Sequence, residues 1–237
     1  MVKMSIANSS ARRYNRAVGP DYPVFMRITG DVPPETYTYL AHQIKQAVKI
    51  PVSASNRIND PYVAEEVLAL GKSDMVSMAR ALLADPQWPN KVREGRLCEI
   101  RKCMGCNQGC LANSFFDKPG ECLVNGKAGR EYLFRDKPAP EKVKKILVVG
   151  GGPGGAEAAV NLAQRGHQVT LWEKSDRIGG QLPLVAAPSG KRDFMELIGY
   201  YESMLAKSGV EVVYNKEADA SEAATGGFGL FYLKQLI

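Results

Sequence analysis

A glycine-rich turn between two apolar runs is the feature that most restricts how this chain of 237 residues can fold. The first run, residues 144–149, is almost wholly apolar, as is typical of a buried parallel strand. It leads directly into residues 150–155, Gly-Gly-Gly-Pro-Gly-Gly, which satisfy the pattern G-x-G-x-x-G. A helical stretch then extends through Arg165, and a second strand, residues 168–173, ends in Glu173. This order predicts a βαβ unit of the dinucleotide-binding kind.

Each part of the predicted unit has a physical role in holding a dinucleotide. Gly150 allows the tight turn, Gly152 lets the backbone approach a pyrophosphate, and Gly155 lets the helix pack close to the strand. The helix N-terminus presents free N–H groups and a positive dipole end to the phosphates, and Glu173 can accept hydrogen bonds from a ribose diol. The alternative is a glycine-rich turn that binds no ligand.

The acid at the end of the second strand also bears on which dinucleotide would bind. Glu173 would repel a 2′-phosphate, which disfavours NADP at this site. A second glycine-containing loop, from Arg177 to Gln181, could lie against the dinucleotide, as in FAD-binding domains of the disulfide-reductase kind. We therefore expect FAD rather than NAD. Alternatively, Arg177 and Gln181 are ordinary surface-loop residues.

Four of the five cysteines follow the spacing C-x2-C-x3-C-x11-C, at Cys103, Cys106, Cys110 and Cys122. Glycines inside this run allow the backbone to fold tightly, so that neighbouring thiolates can point at one metal centre. The uneven gaps favour a cubane iron–sulfur cluster over a structural zinc site, in which two C-x2-C pairs are more usual. Disulfides are the third alternative. Cys98 lies outside the pattern and is expected to be a plain thiol.

The composition is ordinary for a globular protein, although the net charge is +6 and the pI is near 9.0. The basic residues are scattered among acidic ones, so we expect no nucleic-acid partner. The sequence contains no apolar run of about 18 residues, and its N-terminus lacks the apolar core of a signal peptide. We therefore expect no membrane span and a cytoplasmic location, where the thiols would stay reduced.

The first third of the chain predicts alternating strands and helices. The predicted strands are residues 22–28, 49–55 and 74–79, and the predicted helices are residues 35–48, 60–71 and 85–95. Repeated βα units of this length indicate a parallel sheet or a (β/α) barrel, in which the loops after the last strands commonly bind phosphate. Those loops contain Asn56 and Arg57 in one case and Ala79 and Arg80 in the other. Surface solvation or a salt bridge is the alternative role for both arginines.

The order of these motifs resembles the multidomain flavoenzymes related to Old Yellow Enzyme, and most closely their 2,4-dienoyl-CoA reductase branch, alongside trimethylamine dehydrogenase and enoate reductases. The resemblance depends on residues 55–61 and 74–86, the cysteine run, residues 122–125 and the glycine pattern, and it extends from about residue 12 to residue 209. It implies the C-terminal part of a (β/α)8 TIM barrel that binds FMN, a [4Fe-4S] segment and a partial Rossmann-like FAD domain. Electrons from NAD(P)H would pass through FAD and the cluster to FMN, which would reduce an activated alkene of a small enoyl-type substrate.

The resemblance also implies roles and boundaries within this sequence. Arg27 matches an arginine that faces the flavin ring, and Asn56, Arg57, Ala79 and Arg80 match the loops that hold the FMN phosphate. Ala79 stands where many relatives have glycine. The predicted domains are residues 1–97 for the FMN region, 98–142 for the cluster segment and linker, and 143–237 for the FAD region.

Several parts of the family pattern are missing from this sequence, so we expect a truncated relative. The residues that bind and protonate the alkene lie in the absent first half of the barrel, so no catalytic residue can be named. Three or four βα units cannot close an eight-stranded barrel, and a partner chain could supply the rest. FMN binding by this chain alone is expected to be weak or absent. Residues 224–227, Ala-Thr-Gly-Gly, resemble a strand-end motif of the FAD domain.

Overall fold

The computed structural model describes residues 29–134 and 140–231. Within them the chain forms two parallel sheets, one of two strands and one of four, connected by helices. The predicted α/β class with parallel strands is therefore confirmed. The first predicted strand, residues 22–28, and Arg27 within it lie outside the described residues.

The N-terminal part contains one complete βαβ unit flanked by helices. Its elements are α1 (Thr38–Ala47), β1 (Ser53–Ser55), α2 (Pro61–Ala69), β2 (Met75–Ser77), α3 (Arg80–Ala84) and α4 (Trp88–Arg93). Strand β1 pairs in parallel with β2, with Ala54 opposite Val76. As predicted, Asp60 caps α2, because its carboxylate accepts a hydrogen bond from the Tyr62 N–H at 2.9 Å. The apolar side chains of Ala54, Val67 and Trp88 form a small separate core.

Several boundaries in this part differ from the prediction, and two of them have a clear local cause. The strand predicted over residues 49–55 begins only at Ser53, since Pro51 has no N–H to donate to a ladder. The helix predicted from Asp85 begins at Trp88, because the Asp85 carboxylate accepts the Gln87 N–H at 3.0 Å and forms a turn first. The short helix α3 between these elements was not predicted.

Residues 97–134 contain the cysteine run and are built from loops and three short 3₁₀ helices, Leu97–Glu99, Ala112–Phe116 and Glu131–Phe134. The apolar residues of this segment do not form a core of their own. Met104 and Val124 are buried in the same cluster as Val148 and Leu171 of the C-terminal sheet, and Cys103, Cys106 and Cys122 pack against that cluster. Met104 and Val124 thus anchor the cysteine segment to the C-terminal part, while Ile100 at its start belongs to the N-terminal core.

The C-terminal part has a four-stranded parallel sheet in the order β5-β4-β3-β6. Its elements are β3 (Lys145–Val149), α5 (Pro153–Gln164), β4 (Gln168–Trp172), α6 (Leu182–Ala186), α7 (Asp193–Lys207), β5 (Glu211–Val213), α8 (Ala220–Thr225) and β6 (Gly229–Phe231). The predicted β3–α5–β4 unit is confirmed. Helix α7 was not predicted. Seven of its side chains, including Leu205, are buried in the same core cluster as residues of β3 and β4.

The prediction for residues 224–227 is wrong. Ala224 and Thr225 end helix α8, and the two glycines form the turn that precedes β6, so the motif does not follow a strand. The helix forms here because Asp219 caps it, accepting hydrogen bonds from the N–H groups of Ser221 and Glu222 at 2.8 and 3.0 Å. None of the helices in the described ranges has the length and apolar character needed to cross a membrane.

Charged pairs connect the N-terminal and cysteine segments to helices α5 and α7. Arg57 lies 2.7 Å from Asp193, Lys102 lies 3.1 Å from Glu196, and Lys207 lies 2.5 Å from Glu99. The guanidinium of Arg101 lies 2.9 Å from Glu157 on α5. These ion pairs join the N-terminal part and the cysteine segment to the helices of the C-terminal part.

Candidate functional site

A cavity of about 270 Å³ opens at the carboxyl ends of β1 and β2. The loops that follow these two strands line it, together with Cys103 and Gly105 of the cysteine segment. The four described residues predicted to hold an FMN phosphate all lie on its wall, namely Asn56, Arg57, Ala79 and Arg80. The carboxyl ends of parallel strands are the usual place for a ligand in such folds. The structure therefore brings these four residues together at one site.

The backbone after β1 has an unusual conformation at this cavity. Asn56 and Arg57 both have positive φ angles, +80° and +55°. Asparagine enters this left-handed region more readily than most residues, whereas arginine rarely does. Such backbone conformations cluster at ligand sites, because the surrounding structure must hold them in place.

The two arginines of these loops point in different directions. The Arg57 guanidinium is buried, donates from Nε to the Val32 carbonyl at 2.9 Å and lies 2.7 Å from the Asp193 carboxylate. The salt bridge that the sequence left open as an alternative is thus present at Arg57. The Arg80 guanidinium instead donates from Nη1 to the Asn107 side-chain oxygen at 2.6 Å. The Arg80 side chain thus contacts the middle of the cysteine run.

A second cavity is lined by all four cysteines of the predicted cluster motif, with Arg80, Asn107 and Val124 among the other residues of its wall. Two glycines allow the loop its shape. A Cβ at Gly105 would lie 2.9 Å from the Gly30 backbone nitrogen, and one at Gly109 would lie 2.7 Å from the Glu121 carbonyl oxygen. Within the described ranges, no three His, Cys, Asp or Glu side chains form a group that could hold a metal ion. Cys98 is exposed and lies outside this cavity.

The thiols of this cavity influence one another electrostatically. Burial raises the pKa of Cys103 and of Cys122, and the neighbouring Cys106 thiol raises both further. Hydrogen bonds from backbone N–H groups act in the opposite direction, including one from Gly105 to the Cys103 sulfur at 3.4 Å. Thiols that line one cavity and accept N–H groups at sulfur are the kind of ligand that an iron–sulfur cluster uses.

The glycine turn after β3 has the geometry that its sequence predicts. Gly150 has a φ of +95°, and a Cβ at Gly155 would lie 1.9 Å from the Gly150 carbonyl oxygen. Only glycine fits at position 155, because helix α5 passes directly over the turn. Gly152 is the N-cap of α5, so the helix N-terminus follows it as predicted.

Glu173 is buried at the end of β4 and is held by three hydrogen bonds. Its carboxylate accepts the Gly151 N–H at 2.6 Å, the Ser175 N–H at 2.8 Å and the Ser175 hydroxyl at 2.7 Å. Burial alone would raise the pKa of Glu173, but the bonds from Ser175 and Gly151 outweigh it and lower the pKa. The ionised carboxylate therefore stabilises the backbone of the glycine turn, a role that the sequence did not predict.

The second glycine loop contacts the first, since the Gly179 N–H donates to the Gly151 carbonyl at 2.8 Å. Arg177 is largely exposed and lies 3.9 Å from Asp176, and Gln181 is an exposed residue at the start of α6. The two glycine loops therefore lie side by side, while the two predicted side chains extend toward solvent.

Sequence reasoning missed two buried asparagines that support the cysteine segment. Asn107 accepts from Arg80, and Asn125 donates to the Leu83 carbonyl at 2.9 Å. The half-buried Asn59 also donates to the Cys103 carbonyl at 2.7 Å. For Asn107 and Asn125, the position within or just after the cysteine run was the available sequence signal, because a buried amide needs hydrogen-bond partners.

Two protein families match separate parts of the chain, one in the N-terminal part of the structure and one in the C-terminal part. Residues 25–99 match the NADH:flavin oxidoreductase / NADH oxidase family, and residues 148–194 match the NAD(P)-binding Rossmann-like domain. The match to the first family covers the strands and loops of the cavity at β1 and β2. The second covers the glycine turn, Glu173 and the second glycine loop.

Individual relatives are similar over most of this chain. It is 52% identical over 192 residues to a metal reductase of Desulforamulus reducens, which covers 81% of this chain and 29% of that protein. It is 46% identical over 188 residues to an NADH oxidase of Thermoanaerobacter brockii, which covers 78% of this chain and 29% of that protein. A solved structure of 2-naphthoyl-CoA reductase with 2-naphthoyl-CoA has a TM-score of 0.83 and 39% identity, covering 88% of this chain and 32% of the other. The chain thus spans about 30% of the length of these relatives.

Proposed function

The chain is related to the NADH:flavin oxidoreductase / Old Yellow Enzyme family, as its motifs predict, and we propose that it forms the electron-transfer part of a flavin- and iron–sulfur-dependent oxidoreductase. Electrons from NAD(P)H would pass through FAD and a [4Fe-4S] cluster to FMN. The reaction served would be reduction of an activated C=C bond in a small enoyl-type substrate, as in 2,4-dienoyl-CoA reductase.

The observation that carries this proposal is that the flavin cavity and the cysteine cavity share residues. Cys103 and Arg80 line both. A flavin held at the first cavity and a cluster held at the second would therefore be separated by little more than these side chains. Such closeness is what electron transfer between two cofactors requires.

The proposal assigns each cofactor to named residues. FMN would be held by Asn56, Arg57, Ala79 and Arg80, chiefly through backbone N–H groups in the case of Arg57, whose guanidinium is bound to Asp193. The [4Fe-4S] cluster would be held by Cys103, Cys106, Cys110 and Cys122, and FAD by Gly150, Gly152, Gly155, Glu173, Arg177 and Gln181. Together these groups would supply hydride and single-electron transfer. The chain binds them, orients them and excludes water between them.

The proposed division is an FMN region over residues 1–97, a cluster segment over 98–142 and an FAD region over 143–237. A (β/α)8 barrel needs eight strands, and the described residues of the first region contribute β1 and β2. We propose that further chain completes the barrel, either covalently joined or supplied by a partner.

A second candidate is an electron-transfer module without substrate chemistry of its own. It is favoured by one observation: the predicted FMN and cluster residues that the structure describes line two adjoining cavities. Turnover of an enoyl substrate with NADPH by the purified chain would separate the two candidates in favour of the first.

Anaerobic reconstitution tests the proposal. The purified chain, treated with iron, sulfide and FAD, is expected to bind iron and acid-labile sulfide and to show broad visible absorbance that dithionite bleaches. Cys106→Ala should lose the cluster, whereas Cys98→Ala, the matched control outside the cysteine cavity, should retain it. Stoichiometric zinc with no iron would contradict the cluster, and failure to bind FAD would contradict the FAD site.

A further inference from the structure

Arg80 occupies the boundary between the two cavities of the proposed electron-transfer part. It is the first residue of α3, and its side chain lines both the cavity at β1 and β2 and the cavity of the four cysteines. Its guanidinium donates a hydrogen bond of 2.6 Å to the side chain of Asn107, which lies between Cys106 and Cys110. A positive charge is thereby attached to the loop that carries the thiols.

The acceptor of this hydrogen bond is held firmly. Asn107 is buried and has a φ of +57°, in the left-handed region that asparagine tolerates. Its backbone carbonyl accepts the N–H groups of Leu111 and Ala112 at 3.3 and 3.0 Å. The side-chain oxygen is therefore fixed in position, and it fixes the guanidinium in turn.

The charge of Arg80 lies on the wall of the cavity that the four cysteines line. Arg80 and Cys103 also both line the cavity at β1 and β2, so both stand at the boundary between the two cavities. An arginine stays protonated at any working pH, and its field is stronger in a partly buried site than in water. It would therefore stabilise any further negative charge placed on a centre held by these sulfurs.

We propose that Arg80, with Asn107 as its positioning residue, raises the reduction potential of the cluster held by the four cysteines. The mechanism is electrostatic: reduction adds one electron to the cluster, and the fixed guanidinium stabilises the added charge. The inference rests on the proposed function, because it requires the cluster. It goes beyond phosphate binding, since it gives Arg80 a role that persists when no flavin is bound.

The test measures the midpoint potential of the reconstituted cluster in the full chain without flavin, by dithionite titration followed by electron paramagnetic resonance. Arg80→Gln is expected to reduce the equilibrium constant for cluster reduction about tenfold, which is about 59 mV for one electron. Arg80→Lys keeps the charge and should shift the potential less. Arg165→Gln, an equal charge change at an exposed position, should leave it unchanged.

The outcomes separate the inference from the proposed function. If the unsubstituted chain binds no cluster, the proposed function fails. If Arg80→Gln binds the cluster at an unchanged potential, the inference is overturned while the proposed function stands. Should Arg80→Gln fail to assemble a cluster, Asn107→Gly decides the matter, because glycine accepts the left-handed backbone while removing the acceptor. A lowered potential in Asn107→Gly supports the inference, and an unchanged one overturns it.

Discussion

The ion pair between Arg101 and Glu157 should stabilise the packing of the cysteine segment on helix α5. We expect the loss of Glu157 to cost more stability than the loss of Arg101. Arg101 precedes the first cluster cysteine by two residues, and its side chain is only 11% exposed. It donates to the Glu157 carboxylate at 2.9 Å and to the Tyr200 hydroxyl at 2.6 Å. Burial lowers the pKa of Arg101, but Glu157 and Tyr200 outweigh this and raise it, so the guanidinium remains charged.

The two single substitutions therefore have different expected costs. Glu157→Leu leaves a buried cation without its carboxylate, which we expect to lower the free energy of unfolding by about 3 kcal/mol. Arg101→Met leaves Glu157 with the Tyr201 hydroxyl at 3.1 Å and the Asn161 amide at 3.0 Å, and its side chain is 25% exposed. The expected loss is therefore smaller, about 2 kcal/mol. The double variant should lose less than the sum, with a coupling of about 1.5 kcal/mol.

Urea unfolding at neutral pH, followed by circular dichroism and tryptophan fluorescence, measures these losses. The chain offers a matched control pair in Arg130 and Glu121, whose side chains are 51% and 50% exposed and lie 3.5 Å apart. The same double-mutant cycle there should give a coupling below about 1 kcal/mol. Additive losses at Arg101 and Glu157, within about 0.5 kcal/mol, would refute the reasoning, because they would mean that the two charges do not interact.

Three further predictions follow from the C-terminal part. Gly155→Ala should prevent FAD binding and lower the melting temperature, because its Cβ would lie 1.9 Å from a backbone oxygen. Gly154→Ala is the control and should change neither property, since position 154 has open space around it. Equal melting temperatures of the two variants would contradict this prediction. Because folding lowers the pKa of Glu173, its ionised form stabilises the fold at a pH above its unfolded pKa, which is near 4.5. This contribution is lost as the pH falls through the pKa of the folded state. Glu173→Gln should therefore destabilise the protein in urea at pH 7 more than at pH 4, and an equal loss at both would refute the sign. Asp193→Asn should cost about 3 kcal/mol by leaving the buried Arg57 guanidinium without its carboxylate, and a loss below about 0.5 kcal/mol in the same assay would contradict it.

Local patterns were sufficient to predict the parts of the fold that adjacent residues determine. The β3–α5–β4 unit could be predicted because an apolar run, a glycine turn and a terminal acid occur within thirty residues of one another. The cap at Asp60 could be predicted for the same reason. Residues 224–227 were misassigned because a short motif was interpreted without the helix cap at Asp219 that precedes it.

The parts of the site that depend on distant residues could not be predicted in this way. The direction of the Arg57 guanidinium is set by Asp193, which lies 136 positions further along the chain. Likewise, Glu173 was expected to face a ribose, yet its carboxylate accepts the N–H of Gly151 across the sheet edge. In both cases the sequence pattern could not include the partner that orients the side chain.

The anchoring of Met104 and Val124 in the C-terminal core has a practical consequence for dividing the gene. A fragment that begins at the glycine turn would have a cavity in its core, because it would lack both of these apolar side chains. One that begins a few codons before Cys103 would retain them and carry the thiols with it. When such modules recombine, the cysteine run should therefore be inherited together with the C-terminal sheet.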